Sequence, residues 1–68
     1  MEKYEFSRNM LPILGITWQR FATVEEAEAF YAWAEEETKD DEYPCECFLD
    51  IRTDLPEDQR WEVKVRNW

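Results

Sequence analysis

Apolar and polar positions alternate with period two in four stretches of the chain and follow a helical period in one. Lys3 to Arg8 alternates weakly, with Tyr4 and Phe6 on one side, and predicts a short strand. Asn9 to Pro12 breaks it. Ile13 to Phe21 is rich in β-branched and aromatic residues, with Leu14, Ile16 and Trp18 at alternate positions, and predicts a second strand. Gly15, the only glycine, fits a bulge or a close approach there. Cys45 to Thr53 places Cys45, Cys47, Leu49 and Ile51 on one face and Glu46, Phe48, Asp50 and Arg52 on the other. Arg60 to Asn67 sets Trp61, Val63 and Val65 inward and Glu62, Lys64 and Arg66 outward. Between them, Asp54 to Gln59 with Pro56 reads as a hairpin-type loop, too short for a crossover, so these two strands pair antiparallel.

The strongest local signal is Thr23-Val24-Glu25-Glu26, a capping box. Thr23 is placed to accept from the Glu26 amide, and the Glu26 carboxylate to reach back to the Thr23 amide. The first-turn glutamates also sit at the positive end of the helix dipole, and Ala27, Ala29, Ala32 and Ala34 are strong helix formers. A helix from about Val24 to Thr38 follows. At 100° per residue, Ala27, Phe30, Tyr31 and Ala34 form one stripe with Val24 at its margin. Glu25, Glu28, Glu35 and Glu36 fall opposite, around Ala32, while Glu26, Trp33 and Glu37 lie between the two.

The predicted order is strand, strand, helix, strand, strand. The simplest architecture is one α+β domain over residues 1–68: a small antiparallel sheet of three to four strands (order ββαββ) with one amphipathic helix packed on one face. Strand order is not encoded in this pattern.

Composition narrows the function. The chain has 68 residues, 44% apolar and 16% aromatic, which separates it from an acidic disordered tail. No run approaches the ~18 apolar residues that span a bilayer. The Met-Glu-Lys-Tyr-Glu start lacks the basic and apolar regions of a signal peptide. A cytoplasmic location is expected, with Cys45 and Cys47 as reduced thiols. Two cysteines and no histidine fall short of the four ligands of a structural zinc site, so no metal or cofactor is expected. Without histidine, Ser7 or a cysteine lacks its usual base, and one glycine makes no phosphate loop. An enzyme is not expected. Direct nucleic-acid binding is not expected either, because Arg52, Arg60, Lys64 and Arg66 are interleaved with acids.

The net charge of -9 is unevenly spread. Residues 25–50 hold eleven acids against Lys39 alone, while the remainder holds six acids and seven bases. A solvated face that keeps a small protein soluble is one reading. The other is an acidic patch that steers onto a basic surface. Helix carboxylates at i, i+3 and i+4 are about 5–6 Å apart, close to the spacing of phosphates along a nucleic-acid strand.

Small size, missing catalytic residues and the run EEAEAFYAWAEEETKDDE resemble the small acidic phage-encoded inhibitors, including DNA-mimic anti-CRISPR proteins. The resemblance covers the character of the chain and its 25–42 segment, with no motif matched residue by residue. It implies a non-enzymatic inhibitor of a basic nucleic-acid-binding protein such as a CRISPR effector subunit, in the cytoplasm of a bacterial host. Glu25, Glu28, Glu35, Glu36, Asp40, Asp41 and Glu42 would then be the mimicking charges and Trp33 an aromatic anchor. The alternative is a small interaction or assembly module, a monomer or homodimer, binding through an exposed aromatic sheet surface. Trp18, Trp33, Phe48 and Trp68 are the aromatics in excess of what one small core can hide.

Overall fold

The computed structural model describes residues 4–67. Among these residues three strands and one helix follow in the order β1 (Gly15–Phe21), α1 (Val24–Thr38), β2 (Glu46–Ile51) and β3 (Trp61–Asn67). Short 3-10 turns at Arg8–Met10 and Glu57–Gln59 precede β1 and β3. The class is α+β, as the periodicity predicts, but the order is βαββ and the sheet has three strands.

The strand predicted over residues 3–8 does not form among the described residues; Lys3 lies outside them. Instead this segment is an arm that inserts Phe6 beside the helix. The Phe6 ring centroid lies 5.4 Å from Phe30, 5.5 Å from Trp33 and 6.4 Å from Phe21. Two aromatics at alternate positions make the same sequence pattern whether they line a strand or plug a groove. Here burial of Phe6 against three rings outweighs sheet pairing, because each ring contact adds to the area removed from water.

The sheet order is β1-β3-β2. β3 is central and antiparallel to both neighbours, so β1 and β2 run parallel to each other at the two edges. Register sets the faces. Val63 pairs with Gln19 and Leu49, and Val65 with Thr17 and Cys47; these residues face α1. Lys64 pairs with Trp18 and Phe48 on the opposite, open face.

In β1 the apolar residues Ile16 and Trp18 therefore point away from the helix, while Thr17 and Gln19 point toward it. Phe21 decides this parity: it is buried, with its ring 5.3 Å from Phe30. The polar Gln19 is accommodated because its amide donates to the Met10 carbonyl at 3.2 Å. Ile13 and Leu14 lie outside the strand and are 96% and 77% exposed. Gly15 has φ 101°, in the left-handed region that favours glycine, and nothing lies within 4 Å of where a Cβ would sit. Conformation, not a close approach, calls for glycine here.

The helix ends where the capping box and the acidic loop predict. The Thr23 hydroxyl accepts from the Glu26 N–H at 3.2 Å, the first of the two capping-box bonds. Ala27, Phe30 and Ala34 are buried against Val63 and Val65. At the far end, the buried Thr38 hydroxyl donates to the Ala34 carbonyl at 2.8 Å and accepts from the Cys45 N–H at 3.2 Å. That pair of bonds fixes the end of α1 to the chain entering β2. Among the described residues no helix is long and apolar enough to cross a membrane.

Candidate functional site

Two surfaces differ in how the fold treats their charges. On the open sheet face, Glu46 lies in register with Arg66 of β3, and Glu62 of β3 lies in register with Asp50 on one side and Arg20 on the other. Glu62 is 7% exposed and sits between two guanidinium groups, Arg20 at 3.0 Å and Arg52 at 3.2 Å. Arg66 reaches Glu46 at 2.8 Å. Arg52 also grips Asp54 with two parallel bonds of 3.0 and 2.9 Å, which holds the Asp54 carboxyl below its usual range. The middle row of this face is Trp18, Lys64 and Phe48, with Trp18 52% and Phe48 46% exposed. The Lys64 ammonium lies 5.6 Å from the Phe48 ring centroid and the Arg66 guanidinium 5.8 Å, within cation–π range.

The helix side is charged differently. Glu28, Glu35, Asp40 and Glu42 are exposed and form no ion pair among the described residues. Glu25 is exposed in the first turn. Glu36 is paired with Lys39 at 2.6 Å. Asp41 takes the Arg8 guanidinium at 2.5 Å, and Arg8 also donates to the Glu37 carbonyl at 3.1 Å. Arg8 thereby caps the negative end of the helix dipole with a cation brought from the arm, and its own pKa is raised by the Asp41 hydrogen bond.

Trp33 lies half-buried under the arm, between Phe6 and Phe30 at 5.5 and 5.8 Å. The exposed apolar groups beside the carboxylates are instead Ile13, Leu14 and Tyr43, which line an open hollow with Asp41, Glu42 and Asn67. Trp68 lies outside the described residues.

A second open hollow, of about 520 Å³, runs between α1 and β2 and is lined by Glu28, Tyr31, Cys47, Phe48 and Leu49. Both cysteines are buried free thiols. Burial, with Glu35 and Cys45 nearby, pushes the Cys47 thiol from its usual 9.0 to about 11. Burial and the same Glu35 raise Tyr31. Such a thiol is protonated at neutral pH and a poor nucleophile. No group of three or more metal-ligating side chains occurs among the described residues.

Sequence reasoning placed the acids on the outer helix face but missed the Arg8 clasp, whose partners lie 29 and 33 residues away. It marked Trp18 and Phe48 as surplus but not the lysine between them. Strand register is the signal that joins that row.

Comparison with protein-family models, with curated proteins and with solved structures finds no match to this chain.

Proposed function

We propose that the chain is a non-enzymatic inhibitor that binds a basic nucleic-acid-binding protein through the outer face of α1 and the loop that follows it. One observation carries this reading. The sheet-face acids are largely clasped by arginines, whereas among the described residues Glu28 and Glu35 stand unpaired on a helix held at both ends, and Asp40 and Glu42 on the loop that follows it. Unpaired carboxylates on a rigid frame keep their field for a partner and order few side chains on binding. Glu25, Glu36 and Asp41 extend the same surface, and Ile13, Leu14 and Tyr43 supply apolar contact at its end. Trp33 contributes as the packed base beneath it.

The likeness to small acidic phage inhibitors makes a DNA-binding subunit of a CRISPR effector the first target to test. The test is capture from bacterial lysate on the immobilised protein at low and high salt, followed by a nucleic-acid-binding assay on what is captured. The expected result is a nucleic-acid-binding protein held at low salt and released at high salt. The combined Glu28→Gln, Glu35→Gln, Asp40→Asn and Glu42→Gln variant should not retain it, and the parent protein should block its nucleic-acid binding. Capture that survives both salt and the substitutions sinks the proposal.

A second reading rests on the exposed Trp18 and Phe48 flanking Lys64. In it the open sheet face is the interface and the chain is an interaction module. That reading requires binding that is weakly salt-dependent and lost in Phe48→Ala.

A further inference from the structure

α1 has two flanks, and the described residues fill one of them. Toward β1, the arm packs Phe6 against Phe21, Phe30 and Trp33, and the Met10 carbonyl accepts from Gln19. Toward β2, the corresponding space is the open hollow bounded by Glu28 and Tyr31 above and Cys47 to Leu49 below.

Among the described residues the backbone along that hollow is an unpaired sheet edge, since β2 is a terminal strand. Its outward groups follow from the hydrogen-bond alternation. The Arg52 N–H donates to the Arg60 carbonyl at 2.6 Å. In the same register Asp50, Phe48 and Glu46 turn their backbone groups toward β3. Cys47, Leu49 and Ile51 therefore turn theirs outward. The Ile51 N–H is occupied by the Asp50 carboxylate at 2.9 Å, which limits the open edge to Cys47 and Leu49.

Side chains of an added strand directly opposite Cys47 and Leu49 would project toward α1, as those of Cys47 and Leu49 do. They would meet the Glu28 and Glu35 carboxylates, two helical turns apart on one stripe with Tyr31 between them. A residue between those two would rest beside the exposed Phe48 ring. We propose that the β2 edge accepts a short extended segment of the partner protein as a fourth strand, with Lys or Arg at alternate positions facing Glu28 and Glu35 and an apolar residue between them. This rests on the reading of the chain as a binder of a basic protein and names the form in which the partner is held. Main-chain bonds to Cys47 and Leu49 would give the attachment, and the two carboxylates the selection for basic side chains.

The probe is an acetylated, amidated heptapeptide of alternating lysine and valine, titrated into the full chain labelled with nitrogen-15. Two further peptides carry N-methyl groups on the lysines or on the valines. The expected result is slowed hydrogen exchange at the Cys47 and Leu49 amides. One methylated peptide should bind about tenfold more weakly and the other like the parent, because only one alternate set of amides faces β2. The Glu28→Gln and Glu35→Gln variants, altered only at exposed side chains, should each weaken the parent peptide several-fold. If both methylated peptides bind like the parent and binding fades with salt, edge pairing is wrong while the acidic-face reading stands. If no basic peptide binds at low salt, both fail. Protection at Cys47 and Leu49 that grows with protein concentration alone would assign the edge to a second copy and overturn the proposal.

Discussion

The two faces of this small protein hold their charged groups in opposite states. On the open sheet face, acids and bases from three strands are set side by side, and Arg20, Arg52 and Arg66 close on Glu62 and Glu46. On the helix side, Lys39 and the docked Arg8 answer Glu36, Glu37 and Asp41, while Glu28, Glu35, Asp40 and Glu42 form no ion pair among the described residues. The aromatic residues divide the opposite way. Phe6, Phe21, Phe30 and Trp33 pack together under the helix, whereas Trp18 and Phe48 remain on the sheet surface. A face whose charges are matched internally has little field left for a partner, and one whose core aromatics are hidden keeps apolar grip only at its end, through Ile13, Leu14 and Tyr43. Each face thus retains one kind of attraction, and a partner of either must supply the complement.

The largest expected effect tests the aromatic half of this contrast. Phe6→Ala should lower stability by about 2–3 kcal/mol in urea unfolding, since it removes a ring packed on three others. Phe48→Ala on the open face should cost under about 1 kcal/mol. Equal losses would erase the distinction. For the charged half, Glu62→Ala should destabilise by about 1–2 kcal/mol, because two arginines lose a shared, buried acceptor; the exposure of both arginines keeps the figure modest.

A pH scan separates the cysteine face from both. The Cys47 thiol is raised in the folded state from 9.0 to about 11 by burial. Between those values the unfolded chain ionises first and binds fewer protons, so stability falls as pH rises through this window. Unfolding midpoints measured at pH 8 and pH 10.5 should show the drop, and a Cys47→Ala variant should reduce it. The smallest effect belongs to the outer helix. Glu28→Gln and Glu35→Gln should leave stability within about 0.5 kcal/mol of the parent, or raise it slightly as net charge is relieved. A large loss would mean those carboxylates serve the fold.

The helix was legible because its signals agree: a hydroxyl cap, an acidic first turn, alanines and one apolar stripe. The faces of β2 and β3 were legible too, since in each the inward set Cys47 and Leu49, or Val63 and Val65, is apolar and the outward set largely charged. β1 was harder. Apolar residues occupy both parities there, and Phe21, packed on Phe30 from another element, settles which side is inside. Tyr4 and Phe6 were misread as a strand because two alternating rings carry no length information. Of the candidate site, the carboxylates were visible as composition, but their pairing was not. Arg8 meets Asp41 only because the arm folds across the helix end, a contact with no local trace.

The position of β3 in the sheet also governs the order in which the protein can assemble. β1, α1 and β2 all leave the ribosome before it, yet the two edge strands have no contact with each other in the sheet except through β3. Until residue 67 has been made, β1 and β2 are hairpin halves without a hinge, and their backbone groups are left to water. Folding is then a single late event that closes residues 15 and 67 together, slower than a helical protein of this size would manage. A chain cut short before Val63 would leave the acidic helix without the two valines at the centre of the surface it lies on.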